Sequence, residues 1–86
     1  MAYLPPLTHD MPMKLVRLHP DRSLSKAGLA YWRRQTTQKI LQSLSPGKPM
    51  SLKVKPNGII MDGNTRTKVL EERGVDLDSL PFEPYP

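Results

Sequence analysis

Cysteine is absent from this 86-residue sequence, which excludes disulfide bonds, thiolate metal ligands and cysteine nucleophiles. Apolar runs are short, and none approaches the ~18 residues that a membrane-spanning helix requires. The N-terminus also lacks the charged and then apolar pattern of a signal peptide. We therefore expect a cytoplasmic protein without a membrane partner.

Residues that commonly hold metals or perform catalysis are scarce as well. The two histidines, His9 and His19, lack the spacing of a metal site. The sequence therefore predicts no metal ligands. No serine, histidine and aspartate form a recognisable catalytic triad, and whether the protein is an enzyme stays open. Aromatic residues make up 6% of the chain, and the single tryptophan, Trp32, is expected to be buried because a small domain needs large side chains in its core.

Proline, by contrast, is abundant, with ten residues that cluster towards the two ends of the chain. Proline lacks the backbone donor and disrupts helices. We therefore expect residues 1–13 to form a flexible, proline-rich arm and residues 14–86 to form a single domain. That domain should be α+β, with helices packed on one face of a small mixed sheet.

The expected elements follow from hydrophobic periodicity and from capping residues. They are a strand at 14–18, a helix from Ser23 or Ser25 to Arg34, a helix at 38–44 capped by Thr36, strands at 50–55 and 59–61 joined by a turn at 56–58, a helix at 65–73 ended by Gly74, and a short edge strand near Tyr85.

The turn between the second hairpin strand and the last helix carries the most specific signal, Asp62-Gly63-Asn64-Thr65-Arg66. A helix N-terminus presents unpaired N–H groups and the positive end of the helix dipole, so it favours anions. Glycine permits close backbone approach, and arginine can grip a phosphate bidentately. The turn therefore predicts a phosphate site formed by Gly63, Asn64, Thr65 and Arg66.

The same turn has a purely structural interpretation. Asp62 or Asn64 could cap the helix, and Arg66 could pair with Asp62 or with a glutamate. Asp62 could also orient Arg66, hold a metal ion that bridges to phosphates, or act as a base. The residue pattern does not choose among these roles.

Basic residues suggest a phosphate-rich partner, because the net charge is +5 and the pI is about 9.8. Lys53 and Lys55 alternate along one strand face, Lys68 lies on the last helix, and Arg33 and Arg34 end the first. These five residues are candidate nucleic-acid contacts. Protection of a sheet edge and solvated helix faces explain them equally well.

From Met50 to Pro81 the pattern resembles the ParB/sulfiredoxin superfamily: an apolar strand, a glycine-containing hairpin, a strand running into Asp-Gly-x-x-Arg, a helix and a glycine. The preceding helix and the opening strand also resemble elements of that superfamily. Gly63 matches the motif glycine and Arg66 the motif arginine. Asn64 stands where sulfiredoxins have their catalytic cysteine and where ParB proteins often have an acid.

The resemblance implies phosphate binding at this turn. ParB-like domains bind a nucleotide such as CTP there and are associated with DNA, some relatives are nucleases, and sulfiredoxins bind ATP. A nucleotide with Mg²⁺ is thus the implied cofactor, while the absence of cysteine excludes sulfiredoxin chemistry. The helix-turn-helix and dimerisation segments of full ParB proteins have no counterpart here, so recognition of a partition site is not expected.

We therefore expect a stand-alone ParB-like domain of bacterial or phage type that binds a nucleotide or a DNA backbone at residues 63–66. One alternative is a metal-dependent nuclease or NTP hydrolase that uses Asp62. The other is a protein-interaction module without ligand chemistry, which docks through the proline-rich arm or through residues 82–86. The oligomeric state is not predicted.

Overall fold

The computed structural model describes residues 14–86, so the flexible arm expected at residues 1–13 lies outside the described part. The described residues form four short strands, three α-helices and two 3-10 turns. In chain order these are β1 (Val16–Arg17), a 3-10 turn (Asp21–Ser23), α1 (Lys26–Arg33), α2 (Thr37–Leu44), β2 (Lys53–Val54), β3 (Ile59–Asp62), α3 (Asn64–Glu72), a 3-10 turn (Leu77–Ser79) and β4 (Glu83–Pro84).

The four strands form one mixed sheet in the order β1-β3-β2-β4. β2 and β3 are the antiparallel hairpin, and its predicted turn is confirmed by the bond from the Gly58 N–H to the Lys55 carbonyl, 2.8 Å. The outer strands pair in parallel, β1 with β3 and β4 with β2. Pro84 is tolerated in β4 because the N–H groups of its neighbours, Glu83 and Tyr85, make the bonds to β2.

One face of the sheet is buried under the helices. Leu52, Val54 and Ile60 are almost fully buried on this face, whereas Val16 on the opposite face is 53% exposed. The helices complete the core with Ile40 and Leu44 of α2 and with Val69 and Leu70 of α3. The α+β prediction is therefore confirmed, and no helix among residues 14–86 is long and apolar enough to cross a bilayer.

Local signals placed most helix ends correctly. Ser25 caps α1 and Thr36 caps α2, each by accepting a bond from the backbone N–H three residues later. The start of α3 differs from the prediction, because its N-cap is Gly63 and neither Asp62 nor Asn64. Gly63 has a φ of 105°, in the left-handed region that residues with a side chain rarely adopt.

The strand predicted at 50–55 is shorter than expected. The alternation of apolar and polar residues there predicts that Met50 lies on the same face as Leu52 and Val54, and this prediction is wrong. Met50 is 52% exposed and Ser51 is fully buried. The chain here still belongs to the turns that follow α2, because the Ser51 N–H donates to the Lys48 carbonyl at 3.1 Å. Ser51 is satisfied in the interior by hydrogen bonds with Glu83 and Lys53.

Candidate functional site

An open cleft of about 350 Å³ lies over the N-terminus of α3. It brings together the predicted residues of the turn and adds the segment that leads into α1. Within the described chain its walls are formed by His19, Ser23, Leu24, Ser25, Trp32, Met61, Asp62, Gly63, Asn64, Thr65 and Arg66.

Gly63 brings the α3 terminus close to the core. A Cβ atom at this position would lie 3.1 Å from the Leu44 Cδ2 atom and 3.1 Å from the Leu52 Cδ1 atom, which is tighter than ordinary contact. Packing therefore requires glycine here as strongly as the backbone conformation does. The glycine of this turn thus has a structural cause that is independent of any ligand.

The first turn of α3 leaves three backbone donors open. The Thr67 N–H donates to the Gly63 carbonyl at 2.9 Å, which closes the first turn. The N–H groups of Asn64, Thr65 and Arg66 have no acceptor among the described residues, and the glycine N-cap offers no side chain to them. Three aligned donors at the positive end of a helix dipole form an anion-binding arrangement.

The side chain of Asn64 is turned inward and fastens the turn. It is 7% exposed, and its Nδ2 donates to the Ile60 carbonyl at 3.0 Å and to the Met61 carbonyl at 3.4 Å. Its Oδ1 accepts from the His19 N–H at 3.4 Å. The Asn64 side chain, which the sequence predicted as a ligand contact, is therefore bonded within the protein. Asn64 offers its backbone N–H to a ligand instead.

Arg66 is almost completely buried, with 6% of its surface exposed. Its Nη1 donates to the Met50 carbonyl at 2.7 Å, to the Ser43 Oγ at 3.1 Å and to the Ser43 carbonyl at 3.3 Å. Its guanidinium carbon lies 5.5 Å from the centre of the Trp32 ring, a cation–π contact. These contacts fix the guanidinium in one position.

Two nitrogens of Arg66 stay available. Nε and Nη2 have no partner among residues 14–86, yet both retain solvent contact in a residue that lines the cleft. Burial lowers the pKa of Arg66, and the neighbouring Asp62 carboxylate raises it in part. The guanidinium is charged at all physiological pH values, so a buried positive charge with free donors faces the cleft.

Asp62 is exposed and makes no hydrogen bond or ion pair with the described residues. Asp62 and Arg66 do not form the ion pair that the structural interpretation suggested, although the Asp62 carboxylate raises the pKa of Arg66 through its charge. No group of three histidine, aspartate or glutamate side chains in residues 14–86 could hold a metal ion. Asp62 alone would therefore hold a metal only together with ligand oxygens.

The five basic residues predicted as nucleic-acid contacts lie outside the cleft. Lys68 pairs with Asp21 at 3.0 Å, Arg33 pairs with Glu72 at 2.6 Å, and the Lys53 Nζ donates to the Ser51 Oγ at 2.9 Å. Lys55 and Arg34 are exposed and make no side-chain hydrogen bond with described residues. Of the five residues, Lys55 and Arg34 are therefore the most accessible to a partner.

Several cleft residues were not anticipated from the sequence. Trp32, expected to be a core residue, is partly buried and forms a wall beside Arg66. His19, Ser23 and Ser25 reach the cleft because the 3-10 turn folds back towards α3. The cap signal of Ser25 was visible in the sequence, but its closeness to Gly63 depends on tertiary packing.

Comparison with protein-family models, with curated proteins and with solved structures found no match. The resemblance to the ParB/sulfiredoxin superfamily therefore rests on the Asp62–Arg66 turn and on the elements that flank it.

Proposed function

We propose that this domain binds a phosphate-bearing ligand, a nucleotide or a nucleic-acid backbone, at the turn formed by residues 63–66. The observation that carries the proposal is the meeting of two kinds of donor in one cleft. Three unpaired amides of α3 lie beside the buried guanidinium of Arg66, whose Nε and Nη2 are free within the described chain.

Each part of the turn would contribute to binding in a different way. The amides of residues 64–66 and the α3 dipole attract negative charge. Arg66 supplies charge-assisted hydrogen bonds at a fixed position, which reduces the ordering cost of binding. The Thr65 hydroxyl has no partner among residues 14–86 and can add a neutral hydrogen bond, because the methyl group packs towards Gly28.

The resemblance to ParB-like domains supports a nucleotide, CTP or ATP with Mg²⁺, as the ligand within this proposal, in a cytoplasmic protein. A DNA backbone offers the same phosphate chemistry. The nuclease or hydrolase alternative gains no specific support, since Asp62 belongs to no group of three or more acidic or histidine side chains in residues 14–86 that could hold a metal ion.

An NMR titration of the ¹⁵N-labelled protein tests the proposal. CTP, ATP and a short duplex DNA would each be added with and without Mg²⁺. We expect shifts centred on the amides of residues 63–66 with at least one of these ligands. Shifts confined to other residues, or none with all three, would remove the site assignment and favour the protein-interaction module.

A pair of matched variants links the binding to Arg66. Arg66→Lys keeps the charge but loses the planar fork, so affinity should fall about tenfold or more, the effect of a lost charge-assisted hydrogen bond. Arg34→Lys is the control, because Arg34 is exposed and lies outside the cleft. Equal affinities of the two variants would show that Arg66 does not contact the ligand.

A further inference from the structure

The cleft over the α3 terminus carries almost no net formal charge. Within the described chain, Asp62 and Arg66 are the formally charged residues in its walls, and their charges cancel. His19 also lines the cleft and is counted as neutral at pH 7. The attraction for an anion thus comes from the helix terminus and from the position of Arg66 and not from an excess of cations.

Two basic residues outside the cleft, Lys68 and Arg17, are held in ion pairs. Lys68 lies 3.0 Å from Asp21, and Arg17 lies 2.8 Å from both Asp21 and Glu71. These two cations and two anions form one balanced network, which adds no net charge. Within the walls of the cleft, an elongated and highly charged ligand would therefore find no lysine or arginine besides Arg66.

The available donors also suit a small anionic group. They are the three amides of the first α3 turn together with Nε and Nη2 of Arg66. Because Nη1 is held by Met50 and Ser43, the guanidinium cannot follow a chain of phosphates. Donors that converge at one end of one helix match the oxygens of one phosphate group.

Part of the wall beside these donors is apolar. Leu24, Trp32 and Met61 line the same cleft as the α3 terminus. The part of the ligand next to its phosphate would therefore lie against hydrophobic and aromatic side chains, as expected for a planar organic group.

We infer that the cleft selects a nucleoside monophosphate, bound without a metal ion, over the corresponding triphosphate. This inference deepens the proposed function and rests on it. A phosphomonoester carries close to two negative charges, which the helix terminus and Arg66 balance. The further phosphates of a triphosphate would add charge close to the Asp62 carboxylate, with no second lysine or arginine in the walls of the cleft to offset it.

Isothermal titration calorimetry in the presence of EDTA tests this order of affinity. CMP and AMP would be compared with CTP and ATP, with inorganic phosphate as the minimal ligand. We expect the monophosphates to bind at least about threefold more tightly than the triphosphates, the effect of a screened charge repulsion. Tighter binding of the triphosphates in EDTA would overturn the inference.

The variant Asp62→Asn removes the repelling charge and should bring the triphosphate affinity up to that of the monophosphate or above it. Asp76→Asn is the matched control, because it changes the net charge equally and keeps a residue able to cap the 3-10 turn away from the cleft. An unchanged preference in Asp62→Asn would overturn the role given to this carboxylate.

A parallel titration with Mg²⁺ separates the inference from its rival. If Mg²⁺ makes a triphosphate the tighter ligand and Asp62→Asn abolishes that gain, Asp62 is a metal-coordinating residue and the inference fails while the proposed function stands. If phosphate, monophosphates and triphosphates all fail to bind, the inference fails, and if duplex DNA fails to bind as well, the proposed function fails with it.

Discussion

Arg66 joins the start of α3 to the segment that follows α2. Its Nη1 satisfies the Met50 carbonyl and both the hydroxyl and the carbonyl of Ser43. Removal of this side chain would leave three partly buried acceptors without this donor, which costs more than the loss of a surface interaction. The residue that we propose to bind phosphate therefore also stabilises the fold.

We expect Arg66→Ala to lower the free energy of unfolding by about 2–4 kcal/mol, because a buried hydrogen-bond network is broken. Urea unfolding followed by circular dichroism measures this change. Arg34→Ala, at an exposed position, should change it by less than about 0.5 kcal/mol. Similar stabilities of the two variants would mean that the bonds of Arg66 add little to the fold.

Two glycines allow backbone strain to be separated from crowding. Gly63 and Gly74 both have positive φ, 105° and 82°, but a Cβ at Gly74 would meet no atom within 4 Å. Alanine at either position should cost about 1–2 kcal/mol for the left-handed backbone. Gly63→Ala should cost about 1–3 kcal/mol more, because it also crowds Leu44 and Leu52. Equal losses in thermal or urea unfolding would contradict the crowding.

At the scale of elements, the sequence predicts what depends on neighbouring residues. The caps Ser25 and Thr36 and the turn at Gly58 are confirmed because each acts within three or four positions of the chain. The alternation of apolar and polar residues at 50–55 gave the wrong burial for Met50 and Ser51, because a residue distant in sequence contacts Ser51. Ser51 is buried because Glu83, far along the chain, satisfies its hydroxyl.

The site shows the same division between local and distant determinants. The turn at 63–66 and its donors follow from a glycine and a helix start. The inward direction of Asn64 and the contact of Arg66 with Trp32 depend on segments far apart in sequence. Hydrogen bonds of this kind leave no periodic pattern, so they could not be predicted from the residues alone.

The attachment of β4 should depend on pH through Glu83. Hydrogen bonds from the Ser51 hydroxyl and from the Gly47 N–H lower its pKa from the ordinary value of 4.5. A carboxylate whose pKa is lower in the folded state stabilises the fold above its unfolded pKa, and this contribution is lost as the pH falls below 4.5.

We therefore expect Glu83→Gln to be less stable than the wild type at pH 7 and the difference to shrink as the pH falls below 4.5. Urea unfolding at several pH values measures the difference. Hydrogen exchange of the Tyr85 N–H, which bonds to the Val54 carbonyl at 3.0 Å, reports the strand itself. A difference that is independent of pH would contradict the role of the ionised carboxylate.

At the scale of the whole molecule, several of the thirteen basic side chains are held in contacts within the chain. Arg17, Arg33 and Lys68 are all engaged in ion pairs with acidic residues. Arg73 donates to the Thr37 hydroxyl and to backbone carbonyls at the junction of α1 and α2. Much of the basic character of the described chain thus serves internal contacts.

If duplex DNA binds only at the cleft, its affinity should depend weakly on salt. Contact with one or two phosphates gives a slope of about −1 to −2 for log K against log salt concentration. Fluorescence anisotropy with a labelled duplex at several salt concentrations measures the slope. A slope of about −5 or steeper would instead require several phosphate contacts beyond the cleft, for which Lys55 and Arg34 are the first residues to substitute.

The parallel pairing of both outer strands has a consequence for the order of folding. β1 meets β3 only after α1, α2 and the hairpin have been passed, and β4 meets β2 only after α3. Closing such long loops costs chain entropy before the strands make contact, whereas the β2–β3 hairpin and α3 are adjacent in sequence. We therefore expect the hairpin and α3, with the turn that joins them, to form the folding nucleus and the two outer strands to join it late.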